Sequence, residues 1–423
     1  MIRDAADVVA RGFRETFGRE PEVVWSCPGR VALMGEHTDV QDGITLGVGI
    51  DLRSAVAIAR REDDRILVAS DLVDDRAETT LGSLAETARL DAATPAERSD
   101  WKSYVLGTVW ASLVAARGDE AQLGDTAREL FAEAHDRSFT GTGLDVFVTT
   151  DVPIGAGLAA SASMCGAISS ALDELWDFRF TTAQLAAIGH TAENGAVLAP
   201  TGLSDHFTVL SARPRCAVFF DARGNDAFPI ELPESIGIRL RALVVDTRET
   251  HRNWTAEFAE RLRSCASAAE AIGVQTLREA RLEELEAARD RMSDTDFRRA
   301  RHVMTEIQRT LALTRSLRAD EGAGSAQLFS ESNASQRDDF GIFTERTTFT
   351  SELLLHLDAA AVRLSGAGVG GSLLALVPIE AVDHVRQVVV EAYREHGWET
   401  PHIFELAPCD GPRNETVAAR RTA

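Results

Sequence analysis

Apolar residues recur at helical spacing among charged ones over residues 2–17, which predicts an amphipathic opening helix. From Val23 to Arg60 the pattern changes to short apolar runs broken by glycines, as in strands and tight turns. Trp101 to Ala116 reads as helix and Asp145–Thr150 as strand, followed by a glycine-containing loop and a long apolar helix ending near Trp176. A polar turn at Ala212–Pro214 precedes a strand at Cys216–Asp221, and a domain boundary is placed there, dividing the chain into 1–212 and 213–423. The second half opens with a strand at Arg241–Asp246. Helices then run from Trp254 to Leu317, their Arg and Glu side chains read as solvated faces. Ala361–Leu364, a glycine loop, Ser372–Val377, a helix from Ile379 to His396 and His402–Leu406 predict β-loop-β-α-β, the pattern of a split ferredoxin-like sheet.

Composition narrows the function classes. The chain has 423 residues, 44% of them hydrophobic, enough for two cores. Its net charge of −22 argues against nucleic acid or an anionic membrane as the main partner. Arg3, Asp4 and Asp7 interrupt the first apolar stretch, so no signal peptide is expected. No window reaches the roughly 18 apolar residues of a membrane helix. Five scattered cysteines without metal-type spacing predict free thiols in a reducing, cytoplasmic setting. Lys102 is the only lysine, which removes the P-loop pattern GxxxxGKS or GxxxxGKT. Any phosphate site must therefore rest on backbone N–H groups, arginine and Mg²⁺, against a negative overall field.

Val152-Pro-Ile-Gly-Ala-Gly-Leu-Ala-Ala-Ser-Ala-Ser163 is the sharpest local signal. A strand ends, Pro153, Gly155 and Gly157 turn the chain, and small residues open a helix whose first N–H groups and partial positive charge suit a phosphate. Ser161 and Ser163 add hydroxyls. Taken alone, such a turn serves close helix packing equally well. The pattern PxGxGLxxSAS resembles the ATP-binding motif of the GHMP kinases (galactokinase, homoserine, mevalonate and phosphomevalonate kinases). Galactokinases carry GLSSSAS there, and Ala159 and Ala160 stand for two of those serines. The resemblance implies ATP contacts from Pro153, Gly155, Gly157, Leu158, Ser161, Ala162 and Ser163.

Pro28-Gly-Arg-Val-Ala-Leu-Met-Gly-Glu-His-Thr-Asp39 places Arg, Glu, His and Asp within one strand and turn. A core strand has no use for four such groups, because burying unpaired charge is costly. They suit a polyhydroxylated ligand; a metal site is the rival, although no further His or Cys pair lies nearby. The stretch resembles the galactokinase signature GRxNLIGEHTDYNxG, with Ala32 for Asn and Val40 for Tyr. By that resemblance Arg30 assists catalysis and Glu36, His37 and Asp39 hold the sugar.

Glu193 to Phe207 resembles the galactokinase stretch EHxFxGxPCGxMDQF with the Glu-to-Asp separation kept. Carried over by position, Glu193 and Ser161 hold Mg²⁺, Asp205 is the catalytic base and Gly202 lies beside the sugar. His206 stands where the pattern has Gln and is given no task beyond structure. A carboxylate beside Arg30 stays ionised, which suits a group accepting a hydroxyl proton during phosphoryl transfer. An exposed turn Asp is the plain alternative.

Leu364 to Ser372 joins two strands and so is no dinucleotide fingerprint. It resembles the galactokinase run MTGGGFGGC and is expected to pack against the phosphate loop. Trp101–Gly107 and Ser330–Asp338 resemble WxxYVxG and ESHxSxRD, and Phe258 falls where galactokinases have a sugar-contacting Tyr.

The resemblance implies an α+β, two-domain GHMP kinase fold. Its N-terminal domain carries a ribosomal-protein-S5-like β-α-β unit, its C-terminal domain is ferredoxin-like, and the active site lies in the cleft between them. The expected activity is ATP- and Mg²⁺-dependent phosphorylation of the C1 hydroxyl of galactose or a related sugar. A kinase for another sugar or polyol, and a silent sugar sensor, stay open, as does monomer or dimer.

Overall fold

The structure is a computed structural model that describes residues 5–89, 101–118, 130–131, 139, 141–233, 239–249, 254–319, 325–366, 368 and 371–416. The opening helix α1 (Ala5–Phe17) buries Val9 and Phe13 completely, each worth about 2–3 kcal/mol of apolar burial. Residues 2–4 of the predicted helix lie outside the described residues.

Two long strands, β1 (Val23–Met34) and β2 (Ile44–Arg60), form the spine of an eight-stranded sheet. A hairpin, β3 (Arg65–Ser70) and β4 (Arg76–Thr80), leads through α2 (Leu84–Arg89) and α3 (Trp101–Arg117) to β5 (Leu144–Thr150). β3 and β5 are parallel, and β5 is antiparallel to β2, so β3-helix-β5 is the expected β-α-β unit. Helix α3 is apolar on all sides and buried for most of its length, as such a helix must be. α4 (Ala160–Trp176) follows the glycine loop, then α5 (Thr182–Thr191), a π-helical turn at Ala192–Val197 and α6 (Ser204–Ser211). β6 (Cys216–Asp221) and β7 (Asp226–Glu231) extend this same sheet from β2.

β8 (Leu240–Asp246) opens the second sheet. α7 (Trp254–Ile272), α8 (Leu282–Ala287), α9 (Asp294–Arg318), α10 (Ser325–Ser335) and α11 (Glu345–His356) precede β9 (Ala361–Ser365) and β10 (Ser372–Pro378). α12 (Val382–Glu395) and β11 (His402–Glu405) complete it. The order β11-β8-β10-β9, antiparallel throughout, is the ferredoxin-like arrangement. The chain then returns, and β12 (Arg413–Asn414) pairs with β1 in the first sheet.

The division drawn at residue 212 therefore does not coincide with the sheets: β6, β7 and β12 lie beyond it yet hydrogen-bond into the first. The turn at 212–214 is a real break in the local pattern, but backbone pairing partners are set by distance in space.

One core runs unbroken from β1 and β2 (Val31, Leu46, Val48) through Val152, Ala156 and Leu158 into the four-stranded sheet. A second lies under α3, α4 and α5, and a third under α1. The shared core holds the glycine loop between the two sheets.

Candidate active site

Arg30 sits in β1 just past a register irregularity at Pro28/Gly29, the kind of bulge that re-aims a side chain. At Gly29 a Cβ would meet the Leu158 carbonyl oxygen at 2.7 Å, so only glycine lets the strand and the phosphate loop touch. The Arg30 amide donates to that same carbonyl at 2.9 Å. Its guanidinium donates through Nε and Nη2 to the two Asp205 oxygens at 2.7 and 2.6 Å, and through Nη1 to the Gly157 carbonyl at 2.6 Å. This is a bidentate, charge-assisted pair. The Arg30 side chain is 7% exposed and that of Asp205 33%. Burial works against the Arg30 charge, but Asp205 and Glu36 more than offset it and hold the guanidinium above its ordinary pKa.

Gly155 and Gly157 have φ of 77° and 72°, the left-handed region that favours glycine. Ala159 also takes a left-handed φ, 58°, at the N-cap of α4, where no side chain caps the helix. The first-turn N–H groups of α4 thus lack a side-chain acceptor of their own cap, as a phosphate cradle requires. Pro153 and Ser161 are half-buried, Gly155 is exposed, and Leu158 and Ala162 are buried. Ser163 faces inward: its hydroxyl donates to the Cys27 carbonyl at 2.7 Å, contacts Ser54 Oγ at 2.9 Å and accepts from the Ser54 amide at 3.1 Å. It ties α4 to β1 and β2 and has no hydroxyl to spare.

The second glycine loop packs on the first, as expected. A Cβ on Gly366 would lie 2.5 Å from Gly157 Cα, and the Ser372 hydroxyl donates to the Ala156 carbonyl at 2.7 Å. Ala367, Val369 and Gly370 of this loop, and residues 250–253, lie outside the described residues.

Asp39 Oδ2 accepts the Ser204 amide at 3.1 Å and so caps α6 from outside, fixing the turn that carries Asp205. Burial pushes the Asp39 carboxyl up, Ser204 pulls it down, and the Asp205 charge adds to the rise. Gly202 is required here, because a Cβ would fall 1.9 Å from Asp39 Oδ2. Glu36 accepts the Gly366 amide at 2.5 Å and faces Arg363 Nη1 at 2.5 Å. Burial nevertheless leaves its carboxyl above the usual range, despite Arg363 and Arg30. His37 takes φ 73°, stacks on Phe340 with centroids 4.4 Å apart, and stands 6.2 Å from the Phe258 ring.

Glu193 lies in the π-helical turn, 2% exposed. Its Oε2 accepts the Thr201 hydroxyl at 2.5 Å and faces His206 Nε2 at 3.4 Å, while Oε1 is buried without a partner among the described residues. Burial alone would raise this carboxyl, but His206, Thr201 and Ser161 hold it near 2. An ionised carboxylate with a free oxygen beside the Ser161 hydroxyl fits a hard cation such as Mg²⁺. The described residues contain no cluster of three His, Cys, Asp or Glu, so phosphate oxygens must complete any such site. His206 fits only because position 189 is glycine: a Cβ there would be 2.4 Å from its Nδ1.

The sequence reading missed a buried charge network on α9 and β9. Glu306 Oε1 accepts the Gly35 amide at 3.1 Å and the Ser332 hydroxyl at 2.8 Å, and pairs with Arg363 Nη2 at 3.2 Å. Its Oε2 pairs with Arg309 at 2.8 Å. Glu306 and His302 are fully buried, so the solvated-face reading of α9 is corrected at these positions. The signal was present in the spacing: His302, Glu306, Thr310 and Thr314 recur every four residues beside Val303, Ile307 and Leu317, on the inward stripe.

Residues 11–60 match the family model described as the galactokinase galactose-binding signature, and residues 123–213 that of the GHMP kinases N terminal domain. The chain is 32% identical over 417 residues to the galactokinase of Streptomyces coelicolor, covering 98% of this chain and 99% of that one. It is 31% identical over 386 residues to a galactokinase of Homo sapiens, covering 90% and 91%. Its fold matches that of the Lactococcus lactis galactokinase solved with galactose at a TM-score of 0.81 and 22% identity, over 96% of this chain and 98% of that one.

Proposed function

The chain belongs to the galactokinase family, and we propose that it transfers the γ-phosphoryl group of ATP to the anomeric C1 hydroxyl of galactose or a closely related sugar. The observation that carries this reading is the bidentate Arg30–Asp205 pair held against the phosphate loop through the Gly157 carbonyl.

The sugar oxygen attacks the γ-phosphorus as the bond to the β-phosphate oxygen breaks, and the hydroxyl proton passes to Asp205. Arg30 orients that carboxylate, and its positive charge also favours the alkoxide character that develops on the attacking oxygen. Asp39 and Gly202 set the position of the acceptor next to the base; Glu36 and His37 line the same turn. The α4 start and loop 153–163 hold the phosphates, with Ser163 bracing the helix. Glu193 and Ser161 would hold Mg²⁺, which neutralises phosphate charge.

Ala32, Val40 and Phe258 favour a galactose relative as a second acceptor to be tested. No helix among the described residues is long and apolar enough to cross a membrane, and the five cysteines are free. Free thiols suit a reducing compartment, and the cytoplasm is the proposed location. The test is a coupled ADP-release assay with Mg-ATP and a panel of galactose, its amino and acid derivatives, and arabinose. Sugar-dependent ADP release, greatest with galactose or one of these relatives, is expected. ATP and sugar binding without any phosphate transfer would instead make the protein a sensor.

A further inference from the structure

His37 lies at one end of a chain of polar contacts that no catalytic step above employs. Its Nδ1 is 3.4 Å from His302 Nε2, and His302 Nδ1 is 2.9 Å from Ser335 Oγ. The Ser335 hydroxyl donates to Asp339 Oδ2 at 3.1 Å, and Asp339 is paired with Arg301. At the other end His37 Nε2 is buried without a partner among the described residues. The turn after β1, α9, α10 and the π-helical turn Gln336–Phe340 each supply a link. Phe340 holds both rings, 4.4 Å from His37 and 4.7 Å from His302 between centroids.

The direction of each bond follows from proton counting. A carboxylate paired with arginine only accepts, so the single Ser335 proton goes to Asp339. Ser335 Oγ then accepts from His302, whose Nδ1 must carry the proton. Both imidazoles are neutral: burial pushes His302 down to about 4 and His37 well below its usual value. A neutral imidazole has one N–H, so His302 Nε2 accepts from His37 Nδ1–H, and His37 Nε2 is left with a bare lone pair. The opposite wiring would give up the charge-assisted Ser335–Asp339 bond, about twice as strong as a neutral one.

We propose that Asp339, Ser335 and His302 are positioning residues that fix His37 as the Nδ1–H tautomer, so that its Nε2 accepts a hydrogen bond from a donor group on the sugar. This rests on the sugar-kinase reading of residues 36–39. At the contacted carbon a hydroxyl or amine is selected over hydrogen or fluorine, because neither of the latter can donate to the buried lone pair.

The test combines a spectrum with kinetics on the full chain. In ¹⁵N-histidine-labelled protein, long-range proton–nitrogen correlations should show His37 protonated at Nδ1 and bare at Nε2. Asp339→Asn keeps the side chain's size but offers an N–H to Ser335, reversing every bond and moving the His37 proton to Nε2. That variant should raise KM for galactose about tenfold with kcat nearly kept. It should also narrow the preference for galactose over the one monodeoxyfluoro-galactose altered at the contacted carbon. A wild-type His37 protonated at Nε2, or an Asp339→Asn variant with unchanged tautomer and KM, overturns the proposal. Absence of turnover with every sugar, alongside the expected tautomer, would sink the kinase reading and leave the wiring standing.

Discussion

Two arginine–carboxylate clusters flank the same strand and have opposite fates. Arg30 and Asp205 meet at the cleft, with a third of the Asp205 side chain in solvent. Arg363, Glu36, Glu306 and Arg309 join β9 and α9 to the other end of β1, with Arg363 and Glu306 wholly buried. The chemistry is the same and the solvation differs. In the open pair the carboxylate keeps part of its surface accessible from the cleft, as the proposed base must. In the sealed cluster every Glu306 oxygen is spoken for by Gly35, Ser332, Arg363 and Arg309. The cluster holds the turn at 35–39 against α9 and the second sheet.

If the open pair is chemical and the sealed cluster structural, substitutions should separate them. Asp205→Asn is expected to cut kcat about 10³-fold, with the melting temperature little changed, as calorimetry and the coupled assay will read. A large stability loss would break the distinction. Arg363→Met should do the reverse and lower the unfolding free energy by about 3–5 kcal/mol, because it strands Glu36 and Glu306 in the core. Urea denaturation measures it, and unaltered stability with lost turnover would contradict the structural role.

Acid should act on the sealed cluster next. His302, held near 4, takes up its proton on unfolding at pH values below about 6.5. Stability from its neutral burial is full above pH 6.5 and is lost as pH falls toward 4, at roughly 1.4 kcal/mol per unit. Glu306, held near 2 by Arg309 and Arg363 against its burial, loses its contribution lower, between about 4.5 and 2. His302→Gln should lessen the slope of urea midpoints between pH 7 and 4 by one group's share, buried His37 and His190 keeping theirs; an unchanged slope counts against it. The smallest effect is expected for Gly202→Ala, whose methyl must displace Asp39. KM for the sugar should rise about tenfold, near 1.4 kcal/mol, while kcat moves less. An unaffected KM would remove Asp39 from the sugar site.

Much of the fold was legible because its signals are local. The strand Cys216–Asp221 and the helix ending at Trp176 were read from apolar runs and turn residues alone. The loop at 153–163 and the turn at 35–39 were legible for a related reason: glycines and charges in a strand-and-turn context are costly unless used. The β3–β4 hairpin and β7 were not read: β4 is short and rich in charge and threonine, β7 is broken by Pro229, and β3 offers only a four-residue apolar run between Arg65 and Ser70.

By itself, then, the sequence determined most of the local elements, the ferredoxin-like succession at the C-terminal end, and the motifs from which the site is proposed. Tertiary structure alone decided which carboxylates stay wet. It gave Ser163 to the core, enclosed Glu306 and His302, and brought β12 back to β1. The physical reason is that backbone propensity and spacing act over a few residues. Burial, and with it the cost of a charge or the direction of a hydrogen bond, depends on neighbours hundreds of positions away, as when Arg363 reaches Ala32.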